Sequence, residues 1–160
     1  MGINKIACVG AGLIGQGWAT LFSSQGFEVI LQDVSESILE ESIRGIRSTL
    51  MFLEANNLLK QERPDTVLGR IKTCTRIGDA VCHADYVQES VPDSYEIKKQ
   101  VFKEMDGAAQ NHAILASSSS GLLMTEIQKA TKRPQRCVLV HPVLPVYLIP
   151  VVEIVGGNQT

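Results

Sequence analysis

The sequence predicts an α/β fold, a doubly wound and mainly parallel sheet with helices on both faces. Three observations carry this. Short β-branched runs alternate with stretches of helical periodicity along the chain. The first strand hands over to a helix through glycines at positions 10, 12 and 15. The next strand ends in an acid, Asp33. Strands that alternate with helices fit a parallel sheet, because each parallel pair needs a long crossover, usually helical.

The elements follow in order. "NKIACVG" (4–10) is a β-branched run closed by glycine, a buried strand. Residues 12–25 carry Leu13, Trp18, Leu21 and Phe22 in a helical rhythm, and "FEVILQD" (27–33) is the next strand. Residues 35–60 form a long helix with Ser35 as N-cap and Ile38, Leu39, Ile43, Ile46 and Leu50 on one face. "RIKTCT" (70–75) is a weaker strand, 77–84 a short helix, and 85–92 a strand stopped by Pro92. Residues 95–109 form an amphipathic helix and 113–119 a strand running into a serine-rich turn. Then come a helix over 124–132, a strand over 136–141 and a last extended segment over 151–157.

A chain of 160 residues predicts one domain with room for a real core. A net charge of -2 offers no basic field, which argues against nucleic acid or an acidic membrane as partner. Cys8, Cys74, Cys82 and Cys137 show neither C-x-x-C nor metal-ligand spacing, so no metal is expected. Cys8, Cys74 and Cys137 read as small buried hydrophobes. No secretory signal precedes the first strand, and no apolar run reaches the length of a membrane span. The start "MGINKI" has Ile6 where a myristoylation motif wants Ser or Thr. The protein is expected to be cytoplasmic.

Gly10-Ala11-Gly12-Leu13-Ile14-Gly15 fits G-x-G-x-x-G in the context that gives the pattern weight: strand before, helix after, acid at the end of the following strand. This is the signature of a Rossmann-type fold. Gly10 serves the tight turn, Gly12 lets the backbone approach a pyrophosphate, and Gly15 allows close helix–strand packing. Gly10, Gly12, Leu13, Ile14 and Gly15 are therefore the candidate phosphate cradle, at the positive end of a helix dipole. A carboxylate at Asp33 accepts hydrogen bonds from ribose hydroxyls and repels a 2′-phosphate. The following Val34 offers that phosphate nothing. NAD is the expected cofactor.

Ligands of open α/β sheets collect at the carboxyl ends of the strands. Ser117–Ser120, His141 and Glu153 fall there. His141 reads either as a proton-exchanging base or as a capping residue before Pro142. Glu153 reads either as its carboxylate partner or as a solvated strand residue. His83 and His112 read as surface residues and Trp18 as helix packing, while Tyr147 either faces substrate or packs.

Four stretches, "VGAGLIGQGWA", "QESVPDSYEIKK", "ILASSSSGL" and "HPVLPVYLIPVVEIVGG", together resemble the N-terminal domain of the 3-hydroxyacyl-CoA dehydrogenase family. Within it they are most similar to the branch containing lambda-crystallin (L-gulonate 3-dehydrogenase) and L-carnitine dehydrogenase. The resemblance implies oxidation of a secondary alcohol β to a carboxyl or thioester, with NAD as acceptor and a small-molecule 3-hydroxyacyl-CoA or 3-hydroxy acid as substrate. It implies His141 as general base, Glu153 as its partner and Ser120 on the substrate oxygen. It places Ser118, Asp93 and Lys98 on the nicotinamide side. A non-catalytic, cofactor-binding or crystallin-like protein is the alternative.

Two departures accompany the resemblance. The family's histidine motif has an asparagine three residues after the histidine, where this chain has Leu144. The family's helical dimerisation domain would begin where the sequence ends, so residues 1–160 are expected to be the NAD-binding half, with homodimerisation belonging to the full-length family protein. Arg44, Arg47, Lys60, Arg63, Arg70 and Lys72 are a candidate but unspecific phosphate-binding surface for CoA.

Overall fold

A strand whose residues are apolar in succession suits the centre of a sheet covered on both faces, and "KIACV" is such a strand. In the computed structural model, which describes residues 2–59 and 62–160, it forms β1 (Lys5–Val9), buried from its second residue onward. There follow α1 (Leu13–Ser24), β2 (Glu28–Gln32), α2 (Glu36–Ala55), α3 (Pro64–Leu68), β3 (Ile71–Cys74) and α4 (Ile77–Val81). The rest is β4 (Tyr86–Glu89), α5 (Tyr95–Ala108), β5 (Ile114–Ser117), α6 (Met124–Ile127), β6 (Cys137–Pro142) and β7 (Val152–Gly156).

The strands form one sheet in the order β3-β2-β1-β4-β5-β6-β7. Every neighbouring pair is parallel except β6–β7. Alternation along β1 divides the core in two. Ile6 and Cys8 join Trp18, Val29, Leu31, Leu39, Ile46 and Leu50 on one face. Ala7 and Val9 join Val87, Phe102, Met105, Leu115 and Ile127 on the other. The chain winds outward from β1 through β2 to β3, then returns to lay β4, β5 and β6 on the opposite side. That reversal places a crevice between the carboxyl ends of β1 and β4.

Several boundaries differ from the sequence reading. The long helix stops at Ala55, not at 60, because Asn57 takes a left-handed φ of +57°, which asparagine tolerates better than most residues; Lys60 lies outside the described residues. Ser35 is the N-cap by backbone geometry, but its hydroxyl bonds to Ser37 Oγ at 2.7 Å instead of capping the helix. β4 ends at Glu89, short of Pro92, because the Glu89 carboxylate accepts the Val91 N–H at 2.6 Å and turns the chain. The helix expected over 124–132 is α6 plus a 3-10 turn, Gln128–Ala130. α3 was not expected at all, although Pro64 in its first turn is a helix-start signal. Cys74 is only half-buried, unlike Cys8 and Cys137. Among the described residues no helix is long and apolar enough to cross a membrane.

Candidate functional site

The carboxyl ends of β1, β2, β4, β5 and β6 border one cleft of about 930 Å³. At its floor the three glycines take three different roles. Gly10 leaves β1 at φ +93°, where a side chain is strained, and a Cβ there would meet the Ser90 carbonyl at 2.9 Å. A Cβ on Gly15 would fall inside the van der Waals envelope of the Gly10 carbonyl oxygen. At Gly12 no heavy atom lies within 4 Å of the Cβ position, and the residue borders the cleft. α1 therefore begins with no side-chain cap and no acid in its first turn, leaving amide donors and positive dipole facing open space. A pyrophosphate fits that cradle.

The loop is braced from behind. Ser42 Oγ and Gln16 Nε2 donate to the Ala11 carbonyl at 2.7 and 3.0 Å. In front, the Ala11 N–H donates to Asp33 Oδ2 and the Val34 N–H to Oδ1, both at 2.7 Å. Asp33 is thus held rigidly at the cleft wall with acceptor capacity left for a ribose diol.

At the far end His141 borders the cleft, one side chain across the antiparallel β6–β7 register from Glu153. Glu153 Oε2 lies 2.8 Å from His141 Nδ1. A carboxylate only accepts, so Nδ1 carries a proton and the neutral ring keeps Nε2 as its basic nitrogen. Ser120 is exposed and borders the same cleft.

Between these ends lies a buried polar layer, of which the sequence names Ser118 and Lys98 through the resemblance but not Gln88, Glu89 or Ser90. Ser118 lines the cleft, yet its hydroxyl accepts from Trp18 Nε1 at 3.0 Å and Gln88 Nε2 at 2.7 Å, and sits 2.9 Å from Ser90 Oγ. Trp18 does pack as a helix residue, stacked on Phe22, and its indole N–H also reaches this layer. Lys98 is buried, its Nζ 2.6 Å from Glu89 Oε1, 3.0 Å from the Val91 carbonyl and 3.4 Å from Asp93 Oδ1. Burial pushes the Glu89 carboxyl above the usual range, while Lys98, the Ser117 hydroxyl and the Val91 N–H pull the other way. A glutamine and a glutamate side by side in an otherwise apolar central strand were the signal available in "VQES".

Gly10, Gly12, Leu13, Ile14, Asp33, Asp93, Lys98, Ser118, Ser120 and His141 all border the one cleft, with Gly15 packed beneath it and Glu153 behind His141. Leu144 borders it too. Tyr147 packs against the core. His83 is exposed, and His112 is an exposed partner of Asp85. Of the basic residues considered for CoA, Arg47 is paired with Asp65 and Arg70 with Glu62, and none of those described borders the cleft.

A crevice at the switch point with an amide cradle, an acid at the end of β2 and a histidine–carboxylate pair has the form of a dinucleotide-binding domain. Residues 5–160 match the family model for the 3-hydroxyacyl-CoA dehydrogenase NAD binding domain, so the chain belongs to that family and its cofactor is NAD. It is 39% identical over 158 residues to L-carnitine dehydrogenase of Oceanobacillus iheyensis, covering 99% of this chain and 50% of the relative. It is 38% identical over 156 residues to the lambda-crystallin homolog of Bos taurus, covering 97% and 49%. The crystal structure of (S)-3-hydroxybutyryl-CoA dehydrogenase from Ralstonia eutropha superposes with a TM-score of 0.93 at 29% identity, covering 99% of this chain and 56% of that one. The chain thus spans about half the length of these relatives.

Proposed function

We propose that this domain oxidises a secondary alcohol β to a carboxyl or thioester group, with His141 as the general base. The observation that carries the reading is the His141–Glu153 pair, 2.8 Å apart on a cleft edge that also presents Ser120. NAD, when bound, supplies the two-electron acceptor. Glu153 fixes the tautomer so that Nε2 takes the substrate's hydroxyl proton, and its charge then stabilises the imidazolium. Ser120 hydrogen-bonds the substrate oxygen. A small polar 3-hydroxy acid is the favoured substrate: L-carnitine dehydrogenases are among the relatives, and no described member of the basic group borders the cleft. A CoA thioester is the alternative.

The test is turnover with carnitine, L-gulonate and acetoacetyl-CoA beside calorimetric titration with NADH. His141→Asn is expected to cut turnover by about 10²–10⁴-fold and leave NADH affinity unchanged. A variant as active as the parent would remove His141 from the chemistry. Leu144 favours a second reading, cofactor binding without turnover, because it puts an apolar side chain on the cleft that His141 also borders. Tight NADH binding with no turnover in either the parent or Leu144→Asn, even with the family's helical domain supplied, would establish that reading.

A further inference from the structure

The buried polar layer beneath the cleft has a definite proton order. A tryptophan indole N–H only donates, so Ser118 Oγ accepts from Trp18. Gln88 is fixed in orientation by two neighbours. The Val140 carbonyl, 3.3 Å away, only accepts and so faces the amide NH₂, while Tyr86 donates to Gln88 Oε1 at 2.5 Å. Gln88 Nε2 therefore also donates to Ser118 Oγ, at 2.7 Å. With both lone pairs of Ser118 taken, its single proton goes to Ser90 Oγ at 2.9 Å. Ser90 is then an acceptor from Ser118, and its own proton has no acceptor among the described residues. Ser90 borders the cleft.

Position decides what that proton meets. In sheet order, β2 presents Asp33, β1 the glycine cradle, β4 Ser90, β5 Ser120 and β6 His141. With strands about 4.8 Å apart, Ser90 stands one step beyond the pyrophosphate cradle on the way to the reacting end. We propose that Ser90 is a cofactor-binding residue whose hydroxyl donates to an acceptor oxygen on the nicotinamide-ribose half of the dinucleotide. Trp18 and Gln88 are positioning residues that hold it in the donor state. The inference rests on NAD occupying the cleft, and it means that Ser118, whose hydroxyl is saturated by protein partners, acts through Ser90.

The experiment is calorimetric titration of the parent, Ser90→Ala, Ser90→Thr, Trp18→Phe and the Trp18→Phe/Ser90→Ala pair with NADH, ADP-ribose and ADP. Ser90→Ala is expected to weaken NADH by about three- to tenfold, one neutral hydrogen bond, while ADP binds as to the parent. Ser90→Thr keeps the hydroxyl and is expected to stay within about twofold of the parent, as the same donor remains. Trp18→Phe frees a lone pair on Ser118, so the Ser118–Ser90 hydrogen bond is no longer held in one direction, and the change is expected to weaken NADH in the parent background but not in the Ser90→Ala background. Loss seen with ADP-ribose as well as NADH puts the acceptor on the distal ribose; loss with NADH alone puts it on the carboxamide. Unchanged NADH affinity in Ser90→Ala, or an equal loss for ADP, overturns the inference. A parent that binds no NADH overturns the cofactor assignment itself.

Discussion

At Gly12 and Gly15 the missing side chain serves two different ends, and substitution separates them. Alanine at position 15 drives a methyl into the Gly10 carbonyl, which is backbone and cannot swing aside. Gly15→Ala is expected to cost about 1–3 kcal/mol of stability, the range for overpacking, and to spoil the cradle as a consequence. Alanine at position 12 meets no heavy atom within 4 Å, and the residue's φ of -67° suits any side chain. Gly12→Ala is expected to unfold within about 0.5 kcal/mol of the parent while NADH affinity falls about tenfold or more, because the methyl occupies the pyrophosphate's approach. Urea denaturation and calorimetry on the two variants check this. If both lost stability alike, Gly12 would be structural and the cradle argument wrong.

At the scale of elements, the Glu89–Lys98 pair joins the end of β4 to α5 beneath the cleft, with Ser117 adding the end of β5. Both charges are almost wholly buried. Removing one partner from such a pair is far worse than removing both. Lys98→Met is expected to cost about 3–5 kcal/mol, and Glu89→Gln/Lys98→Met to recover most of it; equal stability of the single and double variants would show that the pair is not the anchor. This pair also marks the limit of what the sequence discloses. Strands and helices were legible because burial on one or both faces imposes periods on local sequence, and the glycine loop and Asp33 were legible because they are local to one βαβ unit. His141 and Glu153 were visible as residues at strand ends and were paired only through the family resemblance, because the antiparallel β6–β7 register that makes them partners is not local. Asp106 with Arg136, 2.8 Å apart and thirty positions distant, was invisible for the same reason. α2's end turned on one residue's backbone choice, Asn57, which periodicity does not encode.

The molecule as a whole divides its sheet between two tasks. The carboxyl edge carries the cleft, and the amino edge carries a clamp. There Asp85, leading into β4, accepts the N–H groups of Asn4 and Lys5 at 2.9 and 3.0 Å and pairs with His112 from the turn before β5. One carboxylate thus ties together the entrances to three central strands. The Lys5 and Asn4 amides, with His112, hold its pKa down to about 2. The sign of the pH dependence follows. The unfolded Asp85 titrates near 3.9, so above that value the folded state gains from the ionised carboxylate, and the gain disappears as pH falls through the folded value near 2. Asp85→Asn removes the charge at every pH. It is therefore expected to lower stability at pH 7 by on the order of 1 kcal/mol, with the gap to the parent closing as pH drops from about 4 toward 2. NADH affinity is expected to stay at the parent's value, because the clamp lies on the edge opposite the cleft. Urea denaturation of both proteins across pH 2.5–7, beside one calorimetric titration at pH 7, checks each half of this. A gap that stayed constant with pH would mean that Asp85 acts by packing and not by charge, and a loss of NADH binding would mean that the two edges are not independent.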